Sequence, residues 1–200
     1  MAIIVLHNSD SQGSRADWAF EGRAHAILKV TFTGNRISAE SMQAIGNLAI
    51  QHPGPNTVIW MGHGNEGKKV PGTAGHPLNE GLLRIDSRQL IQAFRMLSPE
   101  KIYLFTCMAM QWVERERQAF YDAMLYQSGV VKIFAASKKL IGGALMPVAV
   151  AIAAGQENPA GAFGQGKVFE ETQVYGEEIM HWQHRRNPQR TAQGAWESPL

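Results

Sequence analysis

Thr57-Val58-Ile59-Trp60-Met61 runs directly into Gly62-His63-Gly64-Asn65-Glu66-Gly67. The first half is β-branched and aromatic without a charge, as expected of a strand buried on both faces. The second half is the glycine-rich polar segment that closes such a strand. Lys101-Ile102-Tyr103-Leu104-Phe105-Thr106 repeats the design and leads into Cys107, the one cysteine of the chain. Working outward, Ile3 to Leu6, Ile27 to Phe32 and Val130 to Ala135 read as further strands.

Helical patterns lie between them. Ser38 to Gln51 opens on Ser38 as N-cap, repeats apolar residues at Met42, Ile45, Leu48 and Ala49, and stops at His52-Pro53-Gly54-Pro55. Asp86 to Leu97 carries Leu90, Ile91, Phe94 and Leu97 and closes at Ser98-Pro99. Met110 to Gln127 reads as one long helix with Trp112, Val113, Phe120, Ala123 and Met124 interleaved with charges. Arg15 to His25 is weakly periodic, a loop with one helical turn. Strands alternating with helices predict crossover units, and hence an α/β three-layer sandwich around a mainly parallel sheet.

Beyond residue 140 the pattern loosens. Ala144 to Ala154 reads as a helix, Gln156 to Lys167 as a loop, and Lys167 to Tyr175 as an edge strand or hairpin arm; Gly176 to Arg186 adds a helix. The expected organisation is one domain over 1–187 with a flexible tail over 188–200.

Composition narrows the function. With 44% hydrophobic and 18% charged residues, and 19 basic against 17 acidic side chains, the 200-residue chain suits a globular domain. Such a charge balance gives no reason to expect nucleic acid as partner. No apolar stretch approaches the roughly 20 residues that cross a bilayer, and the apolar start at Met1 to Leu6 is too short for a signal-peptide core. A single cysteine forms no internal disulfide, which favours a reducing, cytoplasmic setting.

Chemistry is expected where the two buried strands end. In an open parallel sheet the carboxyl ends face one crevice, and one crossover through the Asp86 to Leu97 helix would set the two strands side by side. Cys107 and His63 would then meet as a thiol and a base, because the thiolate is the reactive form of cysteine and needs a proton acceptor near neutral pH. Taken alone, Cys107 reads as a small buried apolar residue and the His-Gly pair as ordinary; their joint placement shifts the balance. The backbone N–H groups of Gly64 and Cys107 could serve an oxyanion, and the glycines around His63 would let the chain turn sharply. Gly62-x-Gly64-x-x-Gly67 also matches a dinucleotide fingerprint, but the following run holds prolines and glycines where a helix is required. His181 and His184 have i, i+3 spacing without further ligands, so no metal is expected.

The blocks Val58-Ile59-Trp60-Met61-Gly62-His63-Gly64 and Ile102-Tyr103-Leu104-Phe105-Thr106-Cys107 resemble the histidine and cysteine blocks of the caspase-like cysteine peptidases, most of all the autoprocessing domains of bacterial toxins. The resemblance covers residues 58 to 110 and implies a caspase-like sheet and a cysteine endopeptidase acting on protein or peptide substrates. His63 would be the general acid/base, Cys107 the nucleophile that forms a thioester, and Gly64 and Cys107 the oxyanion donors. It places the substrate pocket near Asn8-Ser9-Asp10 and Ala136-Ser137-Lys138. Asp10 there would favour an arginine or lysine side chain; read by itself it is a solvated turn residue. Ser137 falls on the opposite wall. Toxin relatives take inositol hexakisphosphate, but Lys68-Lys69 and Lys138-Lys139 read as solvated pairs, and no cofactor is expected. Thr106, where many relatives carry Ala, Asp or Gly, and the apolar Met108-Ala109-Met110 depart from the pattern. They keep a second reading open, a non-catalytic pseudo-peptidase or effector that binds a protein.

Overall fold

The computed structural model describes residues 1–8, 16–62, 64–65, 70–71, 86–106, 109–124, 131–136, 145–156 and 172–174. Their centre is a six-stranded sheet. Ile3–His7 (β1) pairs in parallel with Ala26–Lys29 (β2) on one side and Asn56–Met61 (β5) on the other. Pro99–Phe105 (β8) and Lys132–Ala136 (β9) continue in parallel, and Thr172–Val174 (β10) closes the edge antiparallel. The spatial order is β10-β9-β8-β5-β1-β2. Two hairpins of two-residue strands stand apart from it: Phe32–Thr33 (β3) with Arg36–Ile37 (β4), and Gly64–Asn65 (β6) with Val70–Pro71 (β7).

The central strands are uncharged because both of their faces are covered. Every residue of β1 and β5 is buried, and alternation divides them between two apolar clusters. Ile4, Leu6, Val58, Trp60, Ile102 and Leu104 point to one face. They pack there with helices Ala39–Gln51 (α2), Ser87–Met96 (α3), Ala109–Arg115 (α4) and Arg117–Met124 (α5). Ile3, Val5, Ile59, Met61 and Tyr103 point to the other. Their partners are Ala16, Ala19 and Phe20, from a helix over 16–20 (α1), and Ala149 and Ile152 from Leu145–Ala153 (α6). Each fully buried Leu or Ile contributes about 1.5–3 kcal/mol, so the two clusters dominate the stability of the sheet.

The expected Ser38 cap is present, and Asp86 caps the next helix. The Ser38 hydroxyl accepts from the Ser41 N–H, and the Asp86 carboxylate accepts from the N–H groups of Arg88 and Gln89. Each satisfies donors that the first helical turn leaves open.

Three expectations change in detail. The strand read over Ile27 to Phe32 leaves the sheet after Lys29, because the Thr31 N–H is taken by the Ser41 hydroxyl at 2.9 Å and the Thr31 hydroxyl lies 2.8 Å from that of Ser38. The chain then turns through Gly34, at φ 63°, into the β3–β4 hairpin. The strand read over Val130 to Ala135 runs instead over Lys132–Ala136.

The single helix read from Met110 is interrupted at Glu116. Trp112 and Phe120 explain why: eight residues of straight helix span about 12 Å, yet their rings meet edge to face with centroids 5.3 Å apart. The interruption lets both enter the same core. Glu116 keeps its helical bonds on either side, its N–H to the Trp112 carbonyl and its carbonyl to the Phe120 N–H. At the far edge, β10 pairs with β9 inside the segment read as an edge strand. The tail, the helix read over Gly176 to Arg186 and nearly all of the loop read over Gln156 to Lys167 lie outside the described residues.

Candidate functional site

Strand order selects one place on the sheet. From β1 the chain first adds β2 outward, then crosses back to place β5 on the other flank, and β8 and β9 follow in that direction. The winding reverses between β1 and β5, and in open α/β sheets ligands bind in the crevice outside the carboxyl ends of strands at such a reversal. Here those ends are His7 and Asn8 on β1, Met61 and Gly62 on β5, and Phe105 and Thr106 on β8.

Register aligns them closely. His7 is the partner of Met61, and Met61 the partner of Phe105. One residue farther on, the Asn8 N–H donates to the Met61 carbonyl at 3.3 Å and the Gly62 N–H to the Phe105 carbonyl at 3.3 Å. Asn8, Gly62 and Thr106 therefore form a row across three neighbouring strands. By alternation the row lies on the face covered by α2 to α5, the face to which Trp60 contributes its ring.

Gly62 is needed for space rather than for a turn. A Cβ there would lie 2.8 Å from Trp60 Nε1 and 3.3 Å from Asn8 Nδ2, and its φ is not in the left-handed region that glycine alone tolerates. The expectation that this glycine serves a sharp turn is thus replaced by a steric one. Trp60 is in turn fixed from below, edge to face with Phe94 of α3 at 6.4 Å.

The polar atoms of this row are unusual. Thr106 and Trp60 are both 0% exposed, yet among the described residues Thr106 Oγ1 and Trp60 Nε1 have no hydrogen-bond partner. Leaving one buried polar group unpaired costs about 1–3 kcal/mol. His7 and Asn8 are buried beside them at 6% and 5% exposure.

No family model, curated protein or solved structure matches the chain. Its site must be read from its own geometry.

His63, Cys107, Asp10 and Ser137 lie outside the described residues. The strands that lead to His63 and Cys107 are inside them, adjacent, parallel and in register, as the crossover argument expects. Residue 63 follows the Met61–Phe105 partner pair by two positions on one strand, and residue 107 follows it by two on the other. Gly64 stands in β6, partner of Pro71 in β7, so the segment read as a loop from Glu66 to Gly81 contains one arm of a hairpin. Ala136, beside Ser137, ends β9 and pairs with Thr172 of β10.

Sequence reading missed Trp60 and Thr106 as polar groups of the site, since each sits inside an apolar run and reads as core. The signal that finds them is register: aligning the two strand ends puts Thr106 beside Gly62, and glycine next to a buried indole marks a close approach. Among the described residues no three His, Cys, Asp or Glu side chains are grouped to hold a metal, and no helix is long and apolar enough to cross a membrane. A groove of about 560 Å³ between α3 and α5, with Arg88, Arg95, Glu116 and Asp122 in its walls, is separate from this row.

Proposed function

We propose that the chain is a cysteine endopeptidase with a caspase-like, three-layer sandwich, hydrolysing peptide bonds with His63 as general base and acid and Cys107 as nucleophile. The observation that carries this reading is the β5–β8 pair: adjacent parallel strands whose partner residues Met61 and Phe105 each precede a reactive side chain by two positions. Equal offsets in sequence from one register pair are what a thiol and an imidazole meeting at a common edge would need. The edge also flanks the reversal in strand order, where a substrate crevice belongs.

The chemistry follows from those roles. The imidazole takes the thiol proton and the sulfur attacks the peptide carbonyl, whose oxygen becomes an anion held by the N–H groups of Gly64 and Cys107. The imidazolium protonates the leaving amine as the thioester forms, and then activates the water that hydrolyses it. Asp10 and Ser137 belong to the pocket for the residue before the scissile bond, with Asp10 selecting arginine or lysine. Residues 1–187 act as one domain in the cytoplasm, without a cofactor.

The test combines selective labelling with cleavage. Incubated with iodoacetamide and separately with a pooled peptide library, the protein should be labelled at Cys107 and cut peptides, most readily after basic residues. Cys107→Ala should do neither. A protein that cuts nothing and alkylates at the rate of a free thiol would favour the non-catalytic, protein-binding alternative.

A further inference from the structure

The groove of about 560 Å³ in the helical layer owes its existence to small side chains. Ala119 and Ala123 lie one turn apart on α5 and pack, half-buried, against the core; Ile91 of α3, which also lines the groove, is buried. Leucine at either position would fill such a seam, and alanine leaves it open.

The two walls differ in charge. α3 contains no acidic residue, and Arg88, Gln92 and Arg95 line the groove at i, i+4 and i+7 on one helix face. On the other side stand Asp122, which accepts from Gln118 Nε2 at 2.6 Å, and Glu116, which accepts from Arg115 Nε at 3.2 Å. Each carboxylate has a second oxygen with which to accept. With Arg115 counted, guanidiniums outnumber carboxylates, so the groove suits a ligand of both signs in which negative charge predominates. A polyanion would face Asp122 and Glu116, and a polycation would face the arginines.

Arg88 and Arg95 are about 10 Å apart along the helix axis, the reach of three or four residues of extended chain. Alternate side chains of an extended chain point to opposite sides. An acid–base–acid sequence would therefore turn two carboxylates to the α3 wall and one ammonium to Asp122. We propose that the groove between α3 and α5 binds an extended peptide segment of alternating acidic and basic side chains. This site does not depend on His63 or Cys107, and failure of the dyad would leave it intact.

The test uses the full chain carrying Cys107→Ala, so that no probe is cut. Four capped peptides differ at three central positions: Glu-Lys-Glu, Lys-Glu-Lys, Glu-Glu-Lys and Glu-Glu-Glu. Binding is followed by fluorescence anisotropy and located by amide chemical shifts. Glu-Lys-Glu should bind about tenfold more tightly than Lys-Glu-Lys, since each exposed charge pair contributes up to about fivefold, and more tightly than Glu-Glu-Lys of equal composition. The order of the first two should invert in Arg88→Glu/Arg95→Glu, and Asp122→Lys should favour Glu-Glu-Glu. Ala123→Leu, which changes no charge, should abolish binding by filling the groove.

No saturable binding at millimolar concentration, or a preference that the variants leave unchanged, would overturn the proposal. Equal affinities for Glu-Lys-Glu and Glu-Glu-Lys would also overturn it, as attraction without an extended register. Inorganic phosphate competing as well as the peptide would reduce the groove to an anion patch, and self-association producing the same shifts would assign it to a second copy of the chain; either result removes the peptide site. If the arginine double variant does not fold, Arg88→Gln/Arg95→Gln decides: it should level the wild-type preference, and a retained preference contradicts the proposal.

Discussion

The two ends of the parallel sheet treat polar groups in opposite ways. At the amino end, buried Asn56 is saturated: its Oδ1 accepts from the Ala2 N–H at 3.0 Å, and its Nδ2 donates to the His52 and Leu97 carbonyls at 2.7 and 2.8 Å. One side chain thereby ties the start of β1 to the last turns of α2 and α3. Nearby, His25 Nδ1 accepts from the Ile3 N–H while the His25 backbone N–H donates to the Ile3 carbonyl. At the carboxyl end, the Thr106 hydroxyl and the Trp60 indole, no less buried, stay unpaired among the described residues. Asn56 holds the fold together at one end, and Thr106 and Trp60 cost stability at the other.

Removing Asn56 should have the largest effect. Asn56→Ala leaves two carbonyls and an amide N–H without their partner, and should destabilise by about 3 kcal/mol or more, read as a lower urea midpoint. Gly62→Ala should cost less, about 1–3 kcal/mol, as the Trp60 ring shifts away from a 2.8 Å contact. Under the proposed peptidase reading its larger effect should fall on cleavage, because the displaced group borders the carboxyl edge of β5. Thr106→Val sits at the other extreme. Exchanging an orphaned hydroxyl for a methyl should change stability by less than about 1 kcal/mol or raise it, whereas an equally conservative change at the amino edge has no such margin.

The smallest expected effect at neutral pH is at Tyr103, stacked on Phe134 at 4.5 Å. Burial, reinforced by the Glu100 carboxylate, pushes its phenol well above the ordinary tyrosine range. A folded-state value raised above the unfolded one gives stability that is complete below about pH 10 and lost as pH rises beyond it. Tyr103→Phe should therefore unfold at a temperature less sensitive to alkaline pH, measured between pH 8 and 11.

Much of the scaffold was legible because local chemistry and tertiary packing agree. Ser38 and Asp86 cap the helices they precede, and the uncharged runs at Ile3, Thr57 and Ile102 are buried strands because both faces of the sheet are covered. Crossover reasoning also placed β5 beside β8. What failed locally was decided by distant partners: Thr31 is drawn from the sheet by Ser38 and Ser41 at the start of the next helix, and Trp112 meets Phe120 across the interruption at Glu116. The site was legible as two strand ends and no further. Periodicity reads Trp60 and Thr106 as core, and nothing in composition says that a buried hydroxyl lacks a partner.

If the carboxyl edge of β5 and β8 brings a base to a thiol, the alkylation rate of the single cysteine reports it. With iodoacetamide at pH 7, wild-type protein should be modified at least about tenfold faster than His63→Ala, as expected if the imidazole stabilises the thiolate. Equal rates in two folded proteins would contradict the dyad and leave Cys107 a structural residue.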